Sequence, residues 1–141
     1  MQTFLPFRSF KDSAISLDYK RLGKQRVETY QILNALDGKS KGWVNHPATK
    51  IWRGYEGALC VYGMTMCREW IERGYKDSLL PIFRDRFLTI EFFELPPIIG
   101  DARFHLSHKS NLIRKDPVFY RPIFGIEIPD NLPYYWGEEN N

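Results

Sequence analysis

Apolar residues recur every three to four positions over two long stretches of the chain, and the glycines and prolines between them mark where each stretch ends. Val27, Tyr30, Leu33 and Leu36 fall at helical spacing, so residues from about 18 to 37 are predicted as an amphipathic helix that stops at Gly38. Lys39 to Gly42 is then a loop. Pro47 suits the first turn of a second helix that runs to Arg73 and is closed by Gly74, with Trp52, Tyr55, Leu59, Tyr62, Met66 and Trp70 as its buried stripe. Gly54, Gly57 and Gly63 lie inside it. Each costs about 1 kcal/mol relative to Ala, which implies another element packed close to that backbone, and the first helix is the expected neighbour.

Residues 75–100 read two ways: Leu79 to Arg86 can be helical, whereas Leu88 to Glu94 looks locally strand-like, and Pro96-Pro97 ends whichever forms. A third helix is predicted from near Asp101 to Lys115, stopped by Asp116-Pro117. Beyond it, Pro117 to Trp136 is rich in proline and aromatics and is expected to pack as irregular structure over the helices. No repeat or low-complexity segment occurs. The expected fold class is mainly α, with about three principal helices and an irregular C-terminal segment, in a single domain over residues 1–141.

Length and composition agree with that. A chain of 141 residues with 43% hydrophobic and 26% charged residues is ordinary globular material and buries roughly 70% of its unfolded surface. No apolar run approaches the roughly 18 to 20 residues of a membrane span, and the N-terminus lacks the features of a signal peptide, so a cytoplasmic protein with no membrane partner is expected. Cys60 and Cys67 are seven apart on the second predicted helix, roughly 10 Å along its axis and too far for a disulfide, which makes them core thiols. There is no phosphate-binding glycine loop, no nucleophile elbow and no zinc-spaced Cys/His cluster. His105 and His108 have no third ligand, so neither a metal nor a cofactor is expected.

The formal charge of +3 is unevenly spread. Residues 1–60 carry ten Lys/Arg against five Asp/Glu, residues 61–100 five against six, residues 101–123 five against two, and residues 124–141 none against four. Two basic segments could form one positive face for a polyanion, or simply solvated helix faces. On the first helix Arg21, Lys24, Gln25 and Glu28 share a face, offset from the apolar stripe. They form either a surface ladder of ion pairs or a phosphate-binding face, on which a carboxylate repels phosphates unless it has a chemical task. His46 at the start of the second helix is a phosphate or base contact, a cap or a buried structural histidine, and Trp52 reads as core. On the third helix His108, Asn111 and Lys115 share a face.

These segments resemble a known family, the pyrimidine-dimer DNA glycosylases of the phage endonuclease V type. Arg21-Leu-Gly-Lys-Gln-Arg-Val-Glu28 is similar to the family's catalytic-glutamate helix, and Glu69-Trp-Ile-Glu-Arg-Gly-Tyr75 to the end of its long central helix. Ser107-His-Lys-Ser-Asn111, followed by Pro117-Val-Phe-Tyr120, resembles the region before its aromatic tail. The resemblance implies a helical monomer that acts on double-stranded DNA, removes a damaged or modified pyrimidine and cuts the strand as an AP lyase. It further implies that the N-terminal α-amine attacks the sugar, while the glutamate stabilises the cationic sugar and assists proton transfers. An α-amine, with an ordinary pKa of about 7.7 to 8.0, suits a nucleophile at neutral pH better than a lysine near about 10.4.

The departure from the family is at the nucleophile: position 2 is Gln, not the small residue that favours removal of Met1. Three outcomes stay open. Met1 supplies the amine, or Gln2 becomes terminal and is prone to cyclise, or lyase activity is lost. Residue reading and resemblance together make Glu28 and Met1 the expected catalytic groups, with Met1, Glu28 and His108 lining one cleft. The expected DNA contacts are Gln2, Thr3, Arg8, Lys20, Arg21, Lys24, Gln25, Arg26, His46, Arg53, His108, Lys109, Asn111, Arg114 and Lys115. A non-catalytic nucleic-acid-binding protein on the same fold is the alternative.

Overall fold

The computed structural model describes residues 1–138. Those residues form seven helices and no strand: α1 (Phe10–Ser16), α2 (Tyr19–Leu36), α3 (Pro47–Lys50), α4 (Glu56–Glu72), α5 (Leu80–Phe87), α6 (Ala102–Lys115) and α7 (Pro117–Phe124). The mainly α class expected from the sequence is therefore observed. None of these helices is long and apolar enough to cross a membrane. Backbone contacts group the chain into two units. The first combines Met1–Thr3 with Tyr19–Pro96 and so holds α2 to α5; the second combines Phe4–Asp18 with the chain from Pro97 onward and holds α1, α6 and α7.

In the first unit α2 packs on α4 and α4 on α5. The residues of α2 that face inward are Leu22, Gln25, Thr29, Ile32, Leu33 and Ala35. The apolar spacing of Val27, Tyr30, Leu33 and Leu36 therefore misplaces the buried face, because two polar side chains lie on it and Val27 is exposed. The single long helix predicted from Pro47 to Arg73 is two helices. Gly54, at a φ of 86°, takes the left-handed region that ends a helix. The turn is closed by the Tyr55 N–H donating to the Trp52 carbonyl at 2.8 Å.

The predicted neighbour of the α4 glycines is also revised. A Cβ on Gly63 would meet the Phe83 ring of α5 at 2.8 Å, and one on Gly57 would meet Ile90 at 3.3 Å. The close approach is thus made by α5 and the segment after it, not by the first helix. Leu79 to Arg86 resolves as α5, whereas Leu88 to Glu94 forms no strand. With no second extended segment paired to it among the described residues, it has no hydrogen-bond ladder to join. Cys60 and Cys67 are free, buried thiols. Burial pushes them up to about 11 and about 12 respectively, so both stay protonated at neutral pH.

In the second unit, part of the C-terminal region expected to be irregular is the helix α7. Asp116 accepts the Phe119 N–H as a cap, Pro117 takes the first turn, and Gly125 at a φ of 107° ends it. Residues 126–138 have little regular structure. Their backbone is held by α6 instead: Ser110 Oγ accepts the Leu132 N–H at 3.0 Å, Ser107 Oγ accepts the Tyr135 N–H at 3.1 Å, and Asn111 Nδ2 donates to the Leu132 carbonyl at 3.1 Å.

Candidate functional site

Within the first unit the start of the chain meets the middle of α2. Glu28 is half-buried, and its Oε2 accepts the Gln2 backbone N–H at 2.8 Å. The Gln25 amide Nε2 lies 3.5 Å from the same oxygen, at the limit of a hydrogen bond. Gln25 is buried, and its Oε1 accepts the Tyr62 hydroxyl of α4 at 2.7 Å. Tyr62 is fully enclosed, and burial, reinforced by the Glu28 charge, holds its phenol well above its ordinary pKa. It is a constant donor, and that fixes the Gln25 amide with its oxygen toward Tyr62 and its NH2 toward Glu28.

Two further contacts pin the first residues. Trp52 Nε1 donates to Thr3 Oγ1 at 3.0 Å, and the Thr3 N–H donates to the side-chain oxygen of Gln2 at 2.9 Å. Trp52 is core, as predicted, but it also anchors Thr3. The signal was available in the residue type, because a buried indole N–H needs an acceptor. Tyr62 was likewise read only as part of an apolar stripe.

His46 caps α3: its Nδ1 accepts the Ala48 N–H at 3.0 Å, which leaves its proton on Nε2. Burial lowers its pKa, the positive charge of the chain's N-terminus lowers it further, and Glu28 opposes them. The imidazole is therefore mainly neutral at pH 7.

The cations of α2 divide. Lys20 and Lys24 are exposed and, with Glu28, Gln31, Tyr19 and Trp70, line a depression of about 490 Å³. Arg26 lines the same depression but is mostly buried. It ion-pairs with Asp77 at 2.6 Å, its side chain 11% exposed and its partner's 1%, and its guanidinium lies 4.9 Å from the Trp70 ring. Burial pushes the Asp77 carboxyl up, but the Leu80 N–H and Arg26 outweigh it and hold it below its usual range. Arg26 thus braces the start of α5 through Asp77, which also accepts the Leu79 and Leu80 N–H groups. Arg21 is half-buried and Arg53, exposed, donates to the Val44 carbonyl at 2.7 Å. Of the other expected DNA contacts in this unit, Gln2, Thr3 and Gln25 turn inward.

In the second unit Arg8 and Lys115 are exposed, Lys109 is half-buried with its Nζ 4.7 Å from the Phe7 ring, and Arg114 donates to Asn111 and to the Asp130 carbonyl. Asn111 and His108 are interior. His108, at 0% exposure, lines no open cleft, which corrects that expectation. Its Nδ1 accepts the Leu5 N–H at 2.8 Å, while His105 Nδ1 donates to the Leu5 carbonyl at 2.8 Å and His105 Nε2 accepts the Gly100 N–H at 2.9 Å. Both rings are neutral clamps on backbone. Burial lowers His105 and takes His108 down to about 3.

The model of the pyrimidine dimer DNA glycosylase family matches residues 1–81, more than half of the chain. The chain belongs to this family. No curated protein and no solved structure gives a significant match. The match to the glycosylase family covers Gln2, Gln25, Glu28 and Tyr62, which the first unit draws together, and His46 as well. It stops before α6, whose resemblance to the family rests on the sequence pattern alone.

Proposed function

We propose that the chain is a DNA glycosylase that releases a damaged or modified pyrimidine from double-stranded DNA, a pyrimidine dimer being the family's default, and then cuts the strand as an AP lyase. It acts as a monomer. The observation that carries this reading is the 2.8 Å contact between the Gln2 nitrogen and Glu28, which brings a carboxylate to the beginning of the chain. A neutral terminal amine adds its lone pair to C1′ as the bond from C1′ to the base breaks; the base nitrogen keeps the electron pair of the broken bond and takes up a proton, and in a cyclobutane dimer the base stays joined to the neighbouring pyrimidine. The amine passes a proton to Glu28, the C1′–O4′ bond opens with O4′ protonated, and an imine to C1′ remains. Loss of a C2′ proton then expels the 3′ phosphate. Of the α2 cations, the exposed Lys20 and Lys24 hold the phosphate backbone, and Glu28 offsets the positive charge that builds on the sugar.

Which nitrogen reacts follows from which residue leads the chain. With Met1 in place the amine is that of Met1, and in a chain trimmed by one residue the nitrogen already in contact with Glu28 becomes the amine. The test uses protein whose N-terminal residue has been identified by mass spectrometry, incubated with borohydride and duplexes carrying a cyclobutane dimer or an abasic site. A reduced covalent complex should map to the terminal residue, and N-acetylation should eliminate it without changing salt-dependent binding. Trapping that survives acetylation would move the nucleophile to a lysine, with Lys24 the first candidate. Binding with neither glycosylic-bond cleavage at the dimer nor strand cleavage at the abasic site would establish the non-catalytic alternative.

A further inference from the structure

The loop between α2 and α3 contains a tryptophan that the family reading does not use. Trp43 has a φ of 66° and is the one non-glycine among the described residues in the left-handed region. A bulky side chain is rarely found there, and the strain persists only where surrounding contacts hold it. The holding contacts are present: the His46 N–H donates to the Trp43 carbonyl at 3.1 Å, and Arg53 donates to the neighbouring Val44 carbonyl at 2.7 Å. Burial does not repay the strain, since Trp43 remains 51% exposed. The fold thus fixes an indole in an unfavourable backbone conformation and leaves half of it in water.

Its position gives the reason. The Trp43 ring meets the His46 ring edge-on, with centroids 5.5 Å apart; His46 caps α3, which packs on α2, the helix that carries Glu28, and Trp52 just beyond α3 holds Thr3 at 3.0 Å, next to the Gln2 that contacts Glu28. Between Gly38 and Tyr55 the chain carries Lys39, Lys41, Lys50 and Arg53 and no carboxylate. Exposed aromatic surface interleaved with cations is what binds unstacked nucleic acid: the cations follow the phosphates and the ring takes a base face. A glycosylase must also move its target nucleotide out of the stack to reach C1′.

We propose that Trp43 is a stacking platform for a nucleobase displaced from the duplex at the Glu28 site. The inference rests on the DNA-processing reading for its ligand class, but its test does not require base release. Affinity is measured for two duplexes that cannot be processed, one fully paired and one with a single extrahelical base, using wild type, Trp43→Phe and Trp43→Gly. Glycine relieves the backbone conformation, so Trp43→Gly should fold at least as stably as wild type, and a thermal melt checks this. Wild type should prefer the extrahelical base. Trp43→Gly should lose about 5- to 100-fold in affinity for that duplex and little for the paired one, and Trp43→Phe should recover most of the loss.

Equal losses on both duplexes, an unchanged preference in Trp43→Gly, or no preference in wild type would each overturn the platform. A Trp43-dependent preference in a protein that releases no base would sustain the platform and remove the glycosylase reading. Base release that is indifferent to Trp43 would do the reverse.

Discussion

Helices α2 and α6 both turn polar side chains into the interior, and they use them in opposite ways. On α2, buried Gln25 is held by Tyr62 on one side and faces half-exposed Glu28 on the other, so the polar interior leads out to a group that lines an open depression. On α6, His105, His108, Ser107, Ser110 and Asn111 spend their hydrogen bonds on the backbone of Leu5, Gly100, Leu132 and Tyr135, segments without regular structure of their own. Inward polar residues thus serve either an accessible carboxylate, the proposed reactive edge, or an irregular backbone that would otherwise be buried unpaired. A sequence motif alone does not distinguish the two; the partner of each side chain does.

The largest expected effect tests the reactive side of the comparison. Glu28→Gln should lower base release at least about 10³-fold, equivalent to about 4 kcal/mol of transition-state stabilisation, with duplex affinity unchanged. Single-turnover kinetics on a lesion duplex measure it, and near-normal release would place α2 in the same structural class as α6.

The structural side is tested by acid. The His108 pKa in the folded state, about 3, lies below its unfolded value of 6.5, so the unfolded chain binds the proton more readily. The contribution is complete above about pH 6.5 and is lost as pH falls toward about 3, at up to about 1.4 kcal/mol per pH unit, with His105 adding in the same direction. Urea midpoints should therefore drop steeply between pH 6 and pH 4. A flat profile would mean that the α6 histidines are not held neutral.

Two basic residues of α2 sharpen the contrast within one helix. Arg26→Ala should destabilise the protein by about 3 kcal/mol in chemical denaturation, because it leaves the Asp77 carboxylate buried without its cation. Lys24→Ala should leave the melting temperature unchanged and reduce the salt slope of duplex binding by about 0.9. If the two variants behave alike, the division of the α2 cations between bracing and binding fails.

The ends of the helices were legible in the residues nearest to them. Gly38 and Gly74 close α2 and α4 at positive φ, and Asp101 caps α6, whereas Pro117, read only as the stop of that helix, also opens α7. Such signals are local, and they work whatever packs nearby. The same signals carry the cation-rich, carboxylate-bearing character of residues 20–28 and the family pattern around it. Gly54 was also in plain view, but whether it breaks a helix or is tolerated inside one depends on the φ it adopts, and α4 begins only after the turn it makes.

What the tertiary structure alone decided is which way each helix faces and which distant group each polar atom meets. Apolar periodicity assumes that only apolar residues go inside, so it put Val27 on the buried face of α2 and Gln25 on the open one, the reverse of the outcome. The cause is a set of partners far away in the chain. Gln25 can enter the core because Tyr62, 37 residues later, supplies its hydrogen bond. Glu28 meets Gln2 across 26 residues, and His108 is buried because Leu5 lies 103 residues before it. A polar side chain follows the hydrogen bond that offsets its desolvation, and where that bond comes from is a property of the folded chain rather than of any segment of it.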